Sequence, residues 1–218
     1  IYSMTQTFYN CTSLTTIPTT LFYFTRRLRT LTNTFRNTAI NLLYADMFRY
    51  CVDLVSLNNT FDNAALTSVP AGLFNYNINL TTVSGTFSSN SMTSIPEQFF
   101  LNCPLLNDVS YIFAHNQITS IPDDIFGYSP NISTVAGAFT SYKGTSIREE
   151  IFANLHNVTN LSGVLSSSVN LTSIPNSLFK ECTKVINMSS VLAGCSGLTG
   201  VAPVDLFFYA PDLTNVSY

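Results

Sequence analysis

The side chains that could do chemistry in this chain are two histidines, five cysteines and twelve carboxylates. General acid-base catalysis needs two such groups converging on one bond, and nucleophilic catalysis needs a base beside a hydroxyl or thiol. The order of the residues offers neither. His115 and His156 fall at different phases of the repeat set out below. Asp123 with Asp124, and Glu149 with Glu150, are sequence neighbours rather than an opposed acid-base pair. Serines and threonines recur as repeat positions, and no glycine-rich phosphate loop is present. The expectation is a chain that is not an enzyme and needs no cofactor.

Metal chemistry is equally thinly supported. Cys11, Cys51, Cys103, Cys182 and Cys195 contain no C-x-x-C pair, and no histidine joins them, so no metal site is expected. Each stands three residues after a recurring Phe or Leu. Thr38, Ala64, Asn77, Asn90, Asn116 and Ser168 hold equivalent places, all small, which predicts unpaired, buried structural thiols. Asp46, Glu97, Asp123, Asp124, Glu149, Glu150 and Asp205 cluster just after an Ile-Pro phase. A carboxylate ladder of this kind could bind calcium. The plainer reading puts each acid in the first turn of a short helix, where free N–H groups and the dipole favour negative charge.

What must position these residues is a repeat of about 26 residues. Units open at Leu28, Leu54, Leu80, Leu106, Ile132, Val158, Val185 and Leu213, after a first unit at Ile1. One ladder runs Phe8, Phe35, Phe61, Phe87, Phe113 and Phe139, then Leu165 and Leu192. A second runs Phe22, Phe48, Phe74, Phe100, Phe126, Phe152, Phe179 and Phe207, so 14 of the 17 phenylalanines are periodic. Ile17, Leu43, Val69, Ile95, Ile121, Ile147, Ile174 and Val201 form a third ladder. No single unit could bury all three, which forces the units to stack into one core. Prolines follow the third ladder at Pro18, Pro70, Pro96, Pro122, Pro175 and Pro203. The preceding Leu-Thr-Ser-Ile reads as a short strand and the proline as the first residue of a helical turn. A second helical or 3-10 turn is expected around Val83–Phe87, with a second strand as the alternative. The whole of residues 1–218 reads as one segment of about eight repeats in a longer array.

With 46% hydrophobic and only 10% charged residues the chain can bury a large core. A net charge of -3 and a pI near 5.2 supply no basic field for nucleic acid. No run approaches the roughly 20 apolar residues that a membrane span needs, and the first residues lack a secretory pattern, although a leader could lie upstream.

Asn116-Gln-Ile-Thr-Ser-Ile-Pro-Asp-Asp-Ile-Phe126 resembles the leucine-rich-repeat pattern N-x-L-x-x-I-P-x-x-L-F. Val185 to Gly200, and Phe8 to Leu14, more closely resemble the repeats of BspA-like bacterial surface proteins, V-x-x-M-x-x-M-F-x-x-C-x-x-L. Leu43-Tyr44 and Ile147-Arg148 depart from the Ile-Pro pair, and the methionine before the first Phe ladder is mostly Thr. The resemblance implies an α/β repeat: a right-handed solenoid with one short parallel strand and short helical or 3-10 turns per coil. It further implies export to a cell surface and a role in adhesion. Similar repeats in viral and phage structural proteins imply, as an alternative, a subunit of a virion, phage or filament.

Two surface features point to binding. Phe24, Tyr50, Tyr76, Tyr128 and Tyr209 recur two residues past the second Phe ladder, with Asn102, Asn154 and Glu181 at the same phase, and could form a platform for a glycan or protein ligand or simply cover a loop. Five of nine basic residues, Arg26, Arg27, Arg29, Arg36 and Arg49, fall in the first two units, either as a contact for an anionic partner or subunit or as a solvated edge. Asn-x-Ser/Thr sequons recur at Asn79, Asn131 and Asn170, as the repeat composition alone would produce. The expected function is non-catalytic binding or adhesion through an extended face, extracellular or on a cell surface, with a virion role as the rival.

Overall fold

The structure is a computed structural model in which residues 1–200 and 203–217 are described. Eight parallel bridges join Ser3, Thr30, Ser56, Thr82, Asp108, Thr134, Asn160, Asn187 and Asn215 in one unbroken line. Each lies two residues after the aliphatic residue that opens a unit. The opening residue points inward, the bridge residue outward and the next one inward: Leu80 and Val83 are fully buried on either side of Thr82.

The pairing between coils is therefore parallel, but it does not sit where the Leu-Thr-Ser-Ile stretch predicts. In that stretch Ser91 N–H donates to Leu66 O at 2.9 Å, and Pro96 has no N–H to give. The N–H groups of Leu66 and Met92 turn instead to side chains, Asn90 Oδ1 and Asn116 Oδ1, both at 3.0 Å. Too few backbone donors remain there for a ladder.

Val83–Phe87 is neither helix nor regular strand. The N–H groups of Val83, Gly85, Phe87 and Ser89 donate to carbonyls of Asp108, Ser110, Ile112 and Ala114 in the next coil at 2.8–3.1 Å. Between them, Thr86 and Ser88 donate back to Val83 and Gly85 in successive tight turns. This path requires the left-handed region at two places per coil, for example Gly85 (φ 63) and Ser89 (φ 56). The same two columns hold Asn33, Asn59 and Gly137, and Asn37, Asn63, His115 and Ser141. Asparagine and glycine suit such a backbone; Tyr111 and His115 adopt it because the coils on either side hold them. The turns after the Ile-Pro phase are mostly irregular too. Among the described residues only Glu149–Phe152 closes a 3-10 helix, so only Glu149 and Glu150 of the seven acids sit in a helical first turn.

The two Phe ladders stack through the core. Successive rings from Phe8 to Phe139 lie 5.3–6.2 Å apart and within 12° of parallel. The ladders touch each other at Phe74–Phe87 and Phe126–Phe139, 6.3 and 6.0 Å apart. Burying each ring contributes ~2–3 kcal/mol, and no coil could do so without its neighbours. In the last described coil the ladder departs from the pattern: Phe207 is exposed and Leu206 is buried. Val201 of the third ladder lies outside the described residues.

The two columns that contain the cysteines, one three residues past each Phe ladder, join the coils, Asn90 and Cys195 in the first and Asn77 in the second. Asn90 Nδ2 donates to Phe61 O, Phe87 O and Ser88 O at 2.9–3.1 Å, and Asn77 Nδ2 donates to Cys51 O at 2.9 Å. Where cysteine holds the place, Cys195 Sγ donates to Leu165 O at 3.1 Å. All five cysteines are free; Cys51, Cys103, Cys182 and Cys195 are buried, whereas Cys11 is exposed, against the expectation for that position.

Candidate binding surface

Two surfaces border the line of bridges. The first is the bridge face itself, where each bridge residue is followed two positions later by another small one: Thr30 and Thr32, Ser56 and Asn58, Thr82 and Ser84, Asp108 and Ser110. Side chains of the first column accept from backbone N–H groups of the second, as in Ser110 N–H to Asp108 Oδ1 at 2.9 Å and Ser189 N–H to Asn187 Oδ1 at 3.0 Å. Hydroxyls also pair across coils, Ser110 with Thr134 at 3.1 Å. The result is a stiff polar face with one charge, Asp108, in the two columns. Its signal in the sequence was the run of small polar residues at this phase, which the reading of the hydrophobic ladders passed over.

The second surface is the flank that leads into that face, and it carries the aromatic row. Phe24 is 97% exposed, Tyr50 45%, Tyr76 39% and Tyr128 38%; Tyr209 is half-buried. Asn102 interrupts the row between Tyr76 and Tyr128, and Asn154 and Glu181 interrupt it before Tyr209. The row is thus one group of three in the first coils and two separate rings beyond it. Neighbours missed in the sequence enlarge the first group. Tyr23 packs edge-on against Tyr50 with ring centroids 5.2 Å apart, and the Arg49 guanidinium lies 5.2 Å from the Tyr76 ring centre.

The arginines divide by side. Arg36 is paired with Asp62 at 2.8 Å, away from the aromatic row. Arg26, Arg27 and Arg29 are all exposed on the flank, and Arg27 donates to the Tyr2 hydroxyl at 3.2 Å. Tyr2, Arg27, Arg29 and Asp53 line an open cleft of about 530 Å³, and a smaller notch of about 190 Å³ lies among Tyr23, Tyr44, Asp46, Arg49 and Tyr50. The structure therefore gathers Phe24, Tyr50 and Tyr76 with Arg26, Arg27 and Arg29 on one flank, and leaves Tyr128 and Tyr209 apart.

The remaining chemistry-bearing groups are held by the coil. Asp123 is paired with Arg148, and Asp124 Oδ1 accepts from the Gln98 N–H at 3.3 Å, so the open acidic cleft over Glu97, Asp123 and Asp124 is partly neutralised. Among the described residues no three His, Cys, Asp or Glu side chains gather to hold a metal ion. His115 Nδ1 and Ser141 Oγ are 3.2 Å apart only because they occupy the same position in adjacent coils. Burial pushes the Cys103 and Cys182 thiols up to about 12, with Glu181 adding to the effect at Cys182, which keeps both protonated and unreactive near neutral pH. No helix among the described residues is long and apolar enough to cross a membrane.

This fold is shared with solved leucine-rich-repeat structures of low sequence identity. A chain of the Toll–Spatzle complex of Drosophila superposes with a TM-score of 0.62 at 19% identity, covering 85% of this chain and 24% of that one. The functional domain of InlJ from Listeria monocytogenes, described as including a cysteine ladder, gives 0.61 at 16% identity, covering 94% and 37%. A chain of the octameric complex of Latrophilin 3, Unc5D and FLRT2 gives 0.54 at 16%, covering 82% and 58%. The chain thus spans less than two thirds of each of these proteins. No curated protein sequence matches it. A model of the BspA type leucine rich repeat region matches in six copies across residues 3–133 and 108–193, and the chain belongs to that family.

Proposed function

We propose that this chain is a non-catalytic binding segment of an exported cell-surface protein, recognising a protein or glycan ligand through its extended surface. The observation that carries the reading is the continuity of the bridge line from Ser3 to Asn215, which aligns one polar face and one flank along the whole chain. A solenoid of this kind can vary each outward position without disturbing the core. Phe24, Tyr50, Tyr76, Tyr128 and Tyr209 are the proposed ligand-binding rings, and Arg26, Arg27 and Arg29 the proposed partner contact. Complexes between proteins among the structures of the same fold, Toll–Spatzle and Latrophilin 3–Unc5D–FLRT2, favour a protein over a glycan as the ligand.

The test begins with the mass of the native protein containing this chain, by light scattering after gentle extraction. A discrete monomer that binds matrix proteins or glycans saturably on an array is the expected result. A large symmetric assembly with this surface buried between subunits would overturn the reading and make the chain a structural subunit.

A further inference from the structure

We propose that the flank of the first three coils is a docking site for an acidic polypeptide segment of a protein partner. The proposal rests on the binding-segment reading and adds the place and the chemistry. Its first support is charge. Residues 1–52 hold five arginines and one aspartate, whereas residues 53–218 hold four basic and eleven acidic residues. A chain that is acidic overall thus gathers most of its basic side chains within residues 1–52, and Arg26, Arg27, Arg29 and Arg49 enter no ion pair among the described residues, while Arg36 on the other side does. Guanidinium forks that no carboxylate occupies can take an incoming one in bidentate geometry.

The second support is the loop that carries them. In Tyr23-Phe24-Thr25-Arg26-Arg27-Leu28-Arg29, Thr25 and Leu28 are buried and the other five residues are exposed. Thr25 Oγ1 donates to Phe22 O at 2.8 Å, and Leu28 N–H donates to Thr25 O at 2.8 Å, which ties the loop to the core. The exposed side chains therefore stand on a fixed backbone, and less ordering remains to be done on binding.

The third support is composition. Tyrosine, phenylalanine and arginine without lysine is the make-up of the energetic centre of protein interfaces. Among the described residues Phe24 is the most exposed large hydrophobic side chain. Covering it rewards an apolar side chain on the partner, which a polypeptide offers and a sulfated sugar chain does not. Asp46 and Asp53 in the two clefts break the uniform positive field that a nucleic acid backbone would select.

The test is fluorescence anisotropy on the whole chain with three labelled probes: polyglutamate, a random glutamate–tyrosine copolymer and dextran sulfate. The copolymer is expected to bind most tightly and to weaken as salt is added. Reversing the patch with Arg26→Glu, Arg27→Glu and Arg29→Glu together should weaken it by at least roughly tenfold. Phe24→Ser should weaken the copolymer about threefold or more and leave polyglutamate unchanged. Lys180→Glu with Lys184→Glu should change nothing, and unchanged thermal melts should show that every variant is folded. Copolymer binding that survives the triple reversal overturns the proposal. So does tighter binding of dextran sulfate that is insensitive to Phe24→Ser, which would mark a glycan site. A native partner that still binds the triple variant removes the flank but leaves the binding-segment reading standing; a large symmetric native assembly removes that reading even where the copolymer binds.

Discussion

Two neighbouring coils fill the same place in the core by different means. In one, Asn116 donates through Nδ2 to Phe87 O, Phe113 O and Ala114 O at 2.8–3.2 Å and accepts the Met92 N–H at 3.0 Å, while Ile118 packs two residues on. In the next, the equivalent positions are Tyr142 and Gly144. The Tyr142 hydroxyl reaches over the glycine to donate to Thr119 O at 2.8 Å and Ser146 O at 3.1 Å. A Cβ on Gly144 would stand 2.2 Å from that hydroxyl and 2.6 Å from Thr119 O. The aliphatic column of Ile40, Leu66, Met92, Ile118 and Leu171 is thus completed in this coil by a tyrosine ring from two residues earlier. What the pair teaches is that the coil demands two things of this place, filled volume and paired backbone groups, and that residue identity is free only when both are met together.

The largest effect should come from breaking the polar half. Asn116→Leu keeps the size of the side chain but leaves the buried Phe113 carbonyl and the Met92 N–H without a partner, while Phe87 O keeps the Asn90 amide and Ala114 O the Ser89 N–H; it should cost about 3–5 kcal/mol in urea denaturation. A midpoint within error of the parent would show that water or a shifted coil satisfies those groups, and that volume alone governs the place.

Next comes the volume half, tested on the other coil. Gly144→Ile by itself drives a branched side chain into the Tyr142 ring and the Thr119 carbonyl, for an expected loss of roughly 2–3 kcal/mol. Combining it with Tyr142→Asn rebuilds the Asn116–Ile118 arrangement and should bring stability back to within about 1 kcal/mol of the parent. Simple additivity in this double-mutant cycle would refute the idea that the two residues replace one unit.

This coil also marks where the sequence stops being legible. The Phe ladders and the Ile column could be read because burial repeats the same residue types at the same interval. Tyr142 could not, because its ring serves a column to which its position does not belong. The left-handed columns were hidden for a related reason: Asn59, Gly85, Tyr111 and Gly137 share a backbone angle and no side-chain property. The bridge was misplaced because Leu-Thr-Ser-Ile and Leu-Thr-Thr-Val both look like strand, and only the destination of each N–H group separates them. On the surface, spacing revealed an aromatic row, but whether it is continuous depends on Asn102, Asn154 and Glu181. The association of Tyr23, Arg49 and Tyr2 with that row arises only from contacts between coils.

A finer cut separates the ring from its hydroxyl. Tyr142→Phe retains the filled volume and withdraws one donor from the carbonyls of Thr119 and Ser146, both residues at the surface, so a loss of about 1 kcal/mol is expected, smaller than either change above. Differential scanning calorimetry resolves a shift of this size; no shift would mean that the hydroxyl is a passenger and the ring alone substitutes for Ile118.

The smallest effect distinguishes the coils by pH. Burial raises the Tyr142 phenol above its ordinary value near 10, because the charged form would be stripped of water. The unfolded chain then loses this proton at lower pH than the folded one. The stabilisation linked to Tyr142 is complete below the unfolded pKa and fades as pH climbs through the folded one. The Asn116 coil carries no titrating group at this place, and the Tyr142→Asn, Gly144→Ile variant removes the one in its neighbour. The buried cysteines also lose protons at high pH, but they do so equally in parent and variant. Subtracting the two stability profiles between pH 8 and pH 12 should therefore leave a difference that is flat up to about pH 10 and then falls against the parent. A difference that stays flat throughout would mean the phenol is hydrated in the folded coil, and that the tyrosine fills its place as a surface residue does rather than as part of the core.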